Sequence, residues 1–399
     1  MPATPGPSEA QRGDALVLSR ARVEIDLAAL AANLEGVAAD VAPASVCAIV
    51  KADAYGHGVR RVAPELERAG AAAFAVARVE EGIELREAGV ARPVYLGLPI
   101  VPAAVPICER YDLTPVVASA EQLALWRAAA AAGARRPIHL EFDTGMTRLG
   151  LDAADAAEVL AAVRATPGLT LAGVMSHFAE AETPASARNA EQRESFARIV
   201  SLLTADERER VVIHLANSAG ALHQPPARWT RVRAGLALYG LDPTARRRDF
   251  APVMSVLADI VQTRDIPAGR RAGYGGRWTA ARPSRVAVVP VGYADGYPWS
   301  LAGRGEALVR GRRAPVVGAV SMDMLLLDVT DTGGEAGEEV VLLGRSGSER
   351  IDLADLARAA GTIPYEICCR LGRQRLPRRY LPAGAERARP VAAHEALAP

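Results

Sequence analysis

Lys51 is the only lysine in the chain. The sequence holds 47 basic residues against 46 acidic ones, and every other basic residue is an arginine. A compositional bias toward Arg and Ala accounts for the depletion, and it makes the exception informative. A guanidinium stays protonated at any working pH, whereas a lysine amine can be tuned to a neutral nucleophile. The count alone leaves a chemical role and chance both open. Around it runs Val50-Lys51-Ala52-Asp53-Ala54-Tyr55-Gly56-His57-Gly58, with a phenol four residues after the amine and glycines that permit a sharp turn. Other groups able to do chemistry follow at intervals: Arg148, His177, Asn217 with Ser218, and Arg233 with Gly235.

These groups fall on a regular framework. Short apolar runs at 45–51, 72–77, 93–98, 113–118, 137–142, 169–177, 211–216 and 230–238 alternate with amphipathic stretches such as 59–69, 120–132, 153–165 and 189–203. Strand–helix alternation at this spacing implies parallel pairing, and eight units in one stretch predict a (β/α)8 TIM barrel, with an open doubly wound sheet as the alternative. No Gly-x-Gly-x-x-Gly follows the first strand, which weakens the dinucleotide-binding form of that alternative. The expected barrel is 17–249. A mostly-β C-terminal domain follows at 250–381, with one helical stretch near 353–360. Pro- and Gly-rich ends, 1–16 and 382–399, are expected to be flexible tails.

On the barrel reading, the singled-out residues lie at strand ends. Lys51 ends the first strand, Arg148 follows the fifth, His177 ends the sixth, Asn217 and Ser218 follow the seventh, and Arg233 and Gly235 lie on the eighth. Barrel enzymes place catalysis at that rim, and a phosphate site commonly lies after strands seven and eight. There Ser218, Gly235 and Leu236 offer small residues and backbone N–H groups. One reactive amine beside a phosphate cradle suggests pyridoxal phosphate held as a Schiff base.

The segment around Lys51 resembles the cofactor-lysine signature of the alanine racemases. Further matches occur in order along residues 20–381: DTGMTRLG (143–150), VMSHF (174–178), HLANSAG (214–220), VRAGLALYG (232–240), AGYGG (272–276), VGYADGYP (291–298), AVSMDM (319–324) and PYEICCRL (364–371). The resemblance implies pyridoxal phosphate-dependent interconversion of L- and D-alanine, supplying D-alanine for peptidoglycan. It implies that Lys51 carries the cofactor and handles the Cα proton on the D-alanine face. Tyr274 would be the base on the opposite face and would come from the partner subunit of a homodimer. A free phenol is protonated at neutral pH, so a tyrosine base needs positive charge or donors nearby, for which His177 and Arg233 are the expected sources.

By the same resemblance, Arg233 faces the pyridine nitrogen. A permanently charged arginine donates a hydrogen bond and leaves that nitrogen unprotonated, which restrains side reactions such as transamination. Tyr55, His177, Asn217, Ser218, Gly235, Leu236 and Tyr365 match the phosphate and cofactor set, and Arg148 and the Met322 N–H match the groups that hold the substrate carboxylate. Tyr293 and Tyr365 narrow the entrance, with Asp323 beside them. One departure concerns position 141, where many family members carry a lysine that can be carbamylated. Glu141 supplies a negative charge directly, and it is expected to orient Arg148 through a salt bridge. Thr147 also replaces a more usual small residue.

Composition bounds the rest. A net charge of +1 gives no sign of a nucleic-acid binder, and no apolar run reaches membrane-spanning length. Cys47, Cys108, Cys368 and Cys369 lack metal-ligand spacing, no metal is expected, and the N-terminus lacks a signal-peptide pattern. A cytoplasmic enzyme is the expectation. Competing readings are a racemase of serine or another amino acid, a barrel-type decarboxylase, and a non-catalytic pyridoxal phosphate carrier. Arg233 argues against the decarboxylase, which benefits from an electron sink. The second domain argues against the carrier, which has no use for it.

Overall fold

The structure, a computed structural model, describes residues 19–131, 136–244, 246, 250–373 and 375–382. The tails expected at 1–16 and 382–399 lie outside these residues, Pro382 excepted. The chain divides into two compact units, each built from more than one stretch. One comprises Ala29–Ala54 and Val59–Ala251. The other comprises the residues up to Ala28, the tetrapeptide Tyr55–Gly58, and the chain from Pro252 onward.

The first strand, β1 (Ala21–Asp26), belongs to the second of these units. The barrel unit starts with the helix after it. Its eight barrel strands are β2 (Ser45–Ile49), β3 (Ala73–Val76), β4 (Val94–Leu96), β5 (Leu113–Val117), β6 (Arg136–Asp143), β7 (Leu169–Met175), β8 (Val212–His214) and β9 (Arg231–Ala234), and the two-residue strand Leu151–Asp152 pairs with β6 off the barrel path. All neighbours pair parallel in the order β9-β2-β3-β4-β5-β6-β7-β8. Bonds from Thr230 N to Ile213 O (3.1 Å) and from Arg233 N to Ala216 O (2.9 Å) bring β9 back to β8, so the barrel is nearly closed. This is the predicted (β/α)8 architecture. Helices alternate with the strands, and the amphipathic one at Val59–Arg68 shows how they pack. Val59, Val62, Ala63 and Leu66, at helical spacing, are the buried face of Val59–Arg68. Inside, small residues make room for polar ones: a side chain at Gly173 would collide with the His139 imidazole.

The C-terminal unit continues with β10 (Met254–Asp259), β11 (Gln262–Ile266), β12 (Ser284–Val289), β13 (Glu306–Val309), β14 (Arg312–Val317), β15 (Leu325–Asp328), β16 (Glu339–Ser346), β17 (Glu349–Ile351) and β18 (Arg378–Leu381). The sheet order is β11-β12-β15-β14-β13-β16-β10-β1-β18, with β17 on β16, and it is antiparallel except for β1 with β18. Expected as mostly β with one helix, the unit has two α-helices of eight or more residues among the described residues, Leu353–Ala360 and Pro364–Arg373. The sequence division at 249/250 assigns β1 to the barrel, whereas β1 and the chain from Pro252 onward belong to one compact unit. Val23 and Ile25 alternate into the core fully buried, and β1 pairs Ile25 with Met254 and Val23 with Arg378. Among the described residues no helix is long and apolar enough to cross a membrane.

Candidate active site

Strand β2 ends at Ile49, so Lys51 lies just beyond it rather than in it. The chain then makes a left-handed helical turn. Ala52, Asp53 and Ala54 have φ/ψ of 54/48°, 56/47° and 54/51°, and Tyr55 follows at φ 53°. Left-handed helix costs an L-residue roughly 1–2 kcal/mol, so consecutive non-glycine residues there need anchoring. Three bonds supply it in the barrel unit. Ala52 N donates to Glu81 Oε1 (2.6 Å), Val59 N to Asp53 Oδ1 (2.7 Å), and Ala54 N to Val50 O (2.9 Å). The sharp turn expected after the lysine exists, but alanines, an aspartate and a tyrosine make it as well as the glycines.

Arg233 on β9 is only 6 % exposed. Its Nη1 donates to His214 O (3.0 Å) and His214 Nδ1 (3.2 Å), and its Nη2 to Ser176 O (2.8 Å), Leu215 O (3.1 Å) and His177 Nδ1 (2.9 Å). Burial, then the charges of Arg233, Arg148 and Lys51, hold His177 well below the usual histidine pKa. Burial also holds His214 far down, and it pushes His139 down to about 3, with Arg231 and Arg233 adding to it. The imidazoles are therefore neutral at pH 7. A neutral ring that accepts at Nδ1 carries its proton on Nε2. His177 thus presents an Nε2–H donor, and His214 passes its own to His139 Nδ1 (2.9 Å). Among the described residues nothing accepts from the Arg233 Nε–H. It is not one of the sealed, unpartnered polar atoms of the fold, so an acceptor from outside the protein can reach it.

The expected phosphate loops are joined by one hydroxyl. Ser218 Oγ accepts from Gly235 N at 2.8 Å, tying the loop after β9 to the helix Ser218–His223. Asn217 caps that helix, its Oδ1 accepting from Gly220 N (2.9 Å). Ser218, Ala219 and Leu236 begin helical turns, so their N–H groups have no intrahelical acceptors and suit an anion. Together with Arg233, these donors fit a phosphorylated pyridine.

Glu141 and Arg148 do not meet as expected. Glu141, on β6, is 6 % exposed, and burial raises its pKa while Arg233 and Arg148 pull it back. Among the described residues it makes no ion pair with Arg148, which is exposed and has no partner. Glu141 is fixed in the strand, whereas Arg148 lies beyond a loop organised by Asp143. The charges feel each other, but no salt bridge orients Arg148.

The C-terminal unit carries the remaining predicted residues. Tyr274 stands on a hairpin between Gly273 (φ 71°) and Gly275 (φ 66°) and is 77 % exposed. Arg271 ties this hairpin through Gly276 O (3.0 Å) and Gly275 O (2.9 Å). Tyr293 N donates to Ser321 O and Ala294 N to Met322 O, both at 3.0 Å, so Tyr293 and Met322 come from adjoining loops. Among the described residues the Met322 N–H has no acceptor. Asp323 pairs with Arg375 at 2.5 Å. The Tyr55 and Tyr365 rings are 5.9 Å apart, and burial pushes the Tyr55 phenol well up, so it is a proton donor at pH 7. Sequence reading gave no role to Glu81, His139, Asp143, His214 or Arg375. Asp143 and His214 were visible only as members of quoted motifs.

The chain is similar to known proteins over most of its length. Residues 25–243 match the family domain described as "Alanine racemase, N-terminal domain" and residues 253–380 the "Alanine racemase, C-terminal domain". An alanine racemase of Syntrophobacter fumaroxidans is 40 % identical over 359 residues, covering 88 % of this chain and 96 % of the relative. Among solved structures, alanine racemase from Bartonella henselae, with covalently bound pyridoxal phosphate, superposes with a TM-score of 0.84 at 31 % identity. It covers 91 % of this chain and 100 % of that one. Alanine racemase from Bacillus anthracis with bound L-Ala-P gives a TM-score of 0.83 at 30 % identity, covering 92 % and 96 %.

Proposed function

The chain belongs to the alanine racemase family, and from that premise we propose that it interconverts L- and D-alanine with pyridoxal phosphate, using Lys51 and Tyr274 on opposite faces of the substrate. The observation that carries the cofactor reading is Arg233, a buried guanidinium with every N–H group spent on the barrel except Nε–H. When bound at Lys51, pyridoxal phosphate withdraws electrons from the substrate Cα and makes its proton removable.

The chain's own residues do the rest. Lys51 Nζ holds the cofactor and takes or returns the Cα proton on the D-alanine face. The Tyr274 hydroxyl does so on the other face, supplied by the partner subunit of a homodimer. His177 contributes an Nε2–H donor rather than a charge. Arg233 would offer its remaining Nε–H to the pyridine nitrogen, and its permanent charge would leave that nitrogen unprotonated. The N–H groups around Ser218 and Leu236, with Gly235, Tyr55 and Tyr365, bind phosphate. Asn217 keeps the helix start in place. Arg148 and the Met322 N–H hold the substrate carboxylate. Tyr293 and Tyr365 narrow the entrance, and Asp323, held by Arg375, braces it. Glu141 acts as a buried negative neighbour of Arg148. On this reading the enzyme is cytoplasmic and supplies D-alanine for peptidoglycan.

Borohydride reduction of the holoenzyme should fix the cofactor to one peptide, that containing Lys51. Lys51→Arg should lose both the label and the visible absorbance of the bound cofactor. Labelling at the α-amino group, the other amine in the sequence, with absorbance intact in the variant, would overturn the assignment.

A further inference from the structure

We propose that Asp143 is a positioning residue that presents Arg148 to the substrate carboxylate; this rests on Arg148 being the carboxylate anchor. Asp143 is the last residue of β6. Its Oδ1 accepts from three successive backbone N–H groups, Gly145 (2.8 Å), Met146 (2.9 Å) and Thr147 (3.1 Å). Its Oδ2 accepts again from Thr147 at 3.0 Å. Successive N–H groups converging in this way form an anion-binding nest, and the anion here is the chain's own side chain. Burial alone would raise the Asp143 pKa, but these N–H groups hold it below the usual aspartate value, so the nest stays filled at neutral pH.

The loop is also fastened from outside. Arg188 Nη2 donates to Gly145 O (3.0 Å), and the Thr144 and Ser176 hydroxyls are 2.7 Å apart. Thr147 is forced to φ 55°, a region β-branched residues avoid. No single local preference explains that conformation. The double acceptance of its N–H by Asp143 does. Arg148 is the next residue, exposed, with no partner among the described residues. Its backbone is fixed while its guanidinium is left unspent. A rigid base with a free head is what an anchor for a small carboxylate requires, because ordering the anchor then costs little at the moment of binding.

The test uses the holoenzyme, with kcat and KM for L-alanine and a calorimetric Kd for propionate, which has the carboxylate but no amine. Asp143→Asn keeps one acceptor oxygen. It should raise KM and the propionate Kd about 10-fold, with kcat changed less than about 3-fold and the absorbance of the bound cofactor unchanged. Asp143→Ser, a second single-acceptor variant, serves if Asp143→Asn does not fold, with the same expectation. Arg148→Gln should weaken propionate at least as much, and adding Asp143→Asn to it should cause no further loss. If Arg148→Gln weakens binding but Asp143→Asn does not, or if the two losses multiply, the positioning role is overturned and the anchor reading stands. If Arg148→Gln binds propionate as the parent does, the anchor reading itself fails and the proposal falls with it.

Discussion

His139, His214 and His177 lie in one hydrogen-bonded chain around Arg233, and burial keeps their pKa values low. This has a consequence for stability. The folded His139 binds a proton only near pH 3, whereas the unfolded side chain does so near 6.5. Between those values the unfolded chain holds more protons. The contribution of a neutral buried histidine is therefore complete above about pH 6.5 and is lost as pH falls toward 3, by about 1.4 kcal/mol per pH unit. His139→Gln keeps an acceptor for the His214 Nε2–H and removes the titration. Denaturant unfolding of this variant between pH 4 and 6 should show a pH slope shallower by about that amount per unit. An unchanged slope would mean that His139 is already charged in the folded barrel. The residue scale was also where sequence reading reached least far. Lys51, His177 and Arg233 stood out by type and strand position, but His139 and His214 became visible only when parallel strands brought their rings together.

The left-handed turn after Lys51 shows what an element can hide. Its residues, Ala52 to Tyr55, include no glycine, and nothing in their local preference announces positive φ. The conformation is imposed by Glu81 and by the Asp53–Val59 bond, which are contacts between segments. The same reasoning explains Thr147, whose strain is set by Asp143. By contrast, the strands themselves were legible. A parallel strand buried on both faces is a short continuous apolar run, and eight of them alternated with amphipathic helices. Ala52→Gly tests the strain directly. Glycine removes the left-handed penalty but adds unfolded-state entropy, and Ala52 is only half-buried, so little packing is lost. The variant should be more stable by about 0.5–1 kcal/mol, with a slower racemisation rate if the stiffness of the turn helps aim Lys51. A loss of stability above about 1 kcal/mol would show that the turn is not strained at this residue.

At the scale of the molecule, strand β1 and the tetrapeptide Tyr55–Gly58 join the C-terminal unit, although the barrel expected at 17–249 includes both. The alternation of Val23 and Ile25 suits either unit, so only pairing with β10 and β18 decides the matter. Tyr274 raises the larger question of which chain it serves. It stands 77 % exposed on a glycine-flanked hairpin, whereas a base acting on a carbanion must be shielded from water. A second copy of the chain would provide that cover, and the reading of Tyr274 as a base in trans has a decisive consequence. Lys51→Arg and Tyr274→Phe should each be inactive or nearly so. In a mixed dimer, one site then receives both substitutions and the other receives none. Co-refolding the two variants in equal amounts should make half the dimers mixed, each with one intact site, and restore about a quarter of the parent's activity. If Tyr274 acts within its own chain, every site in the mixture keeps one defect and no activity returns.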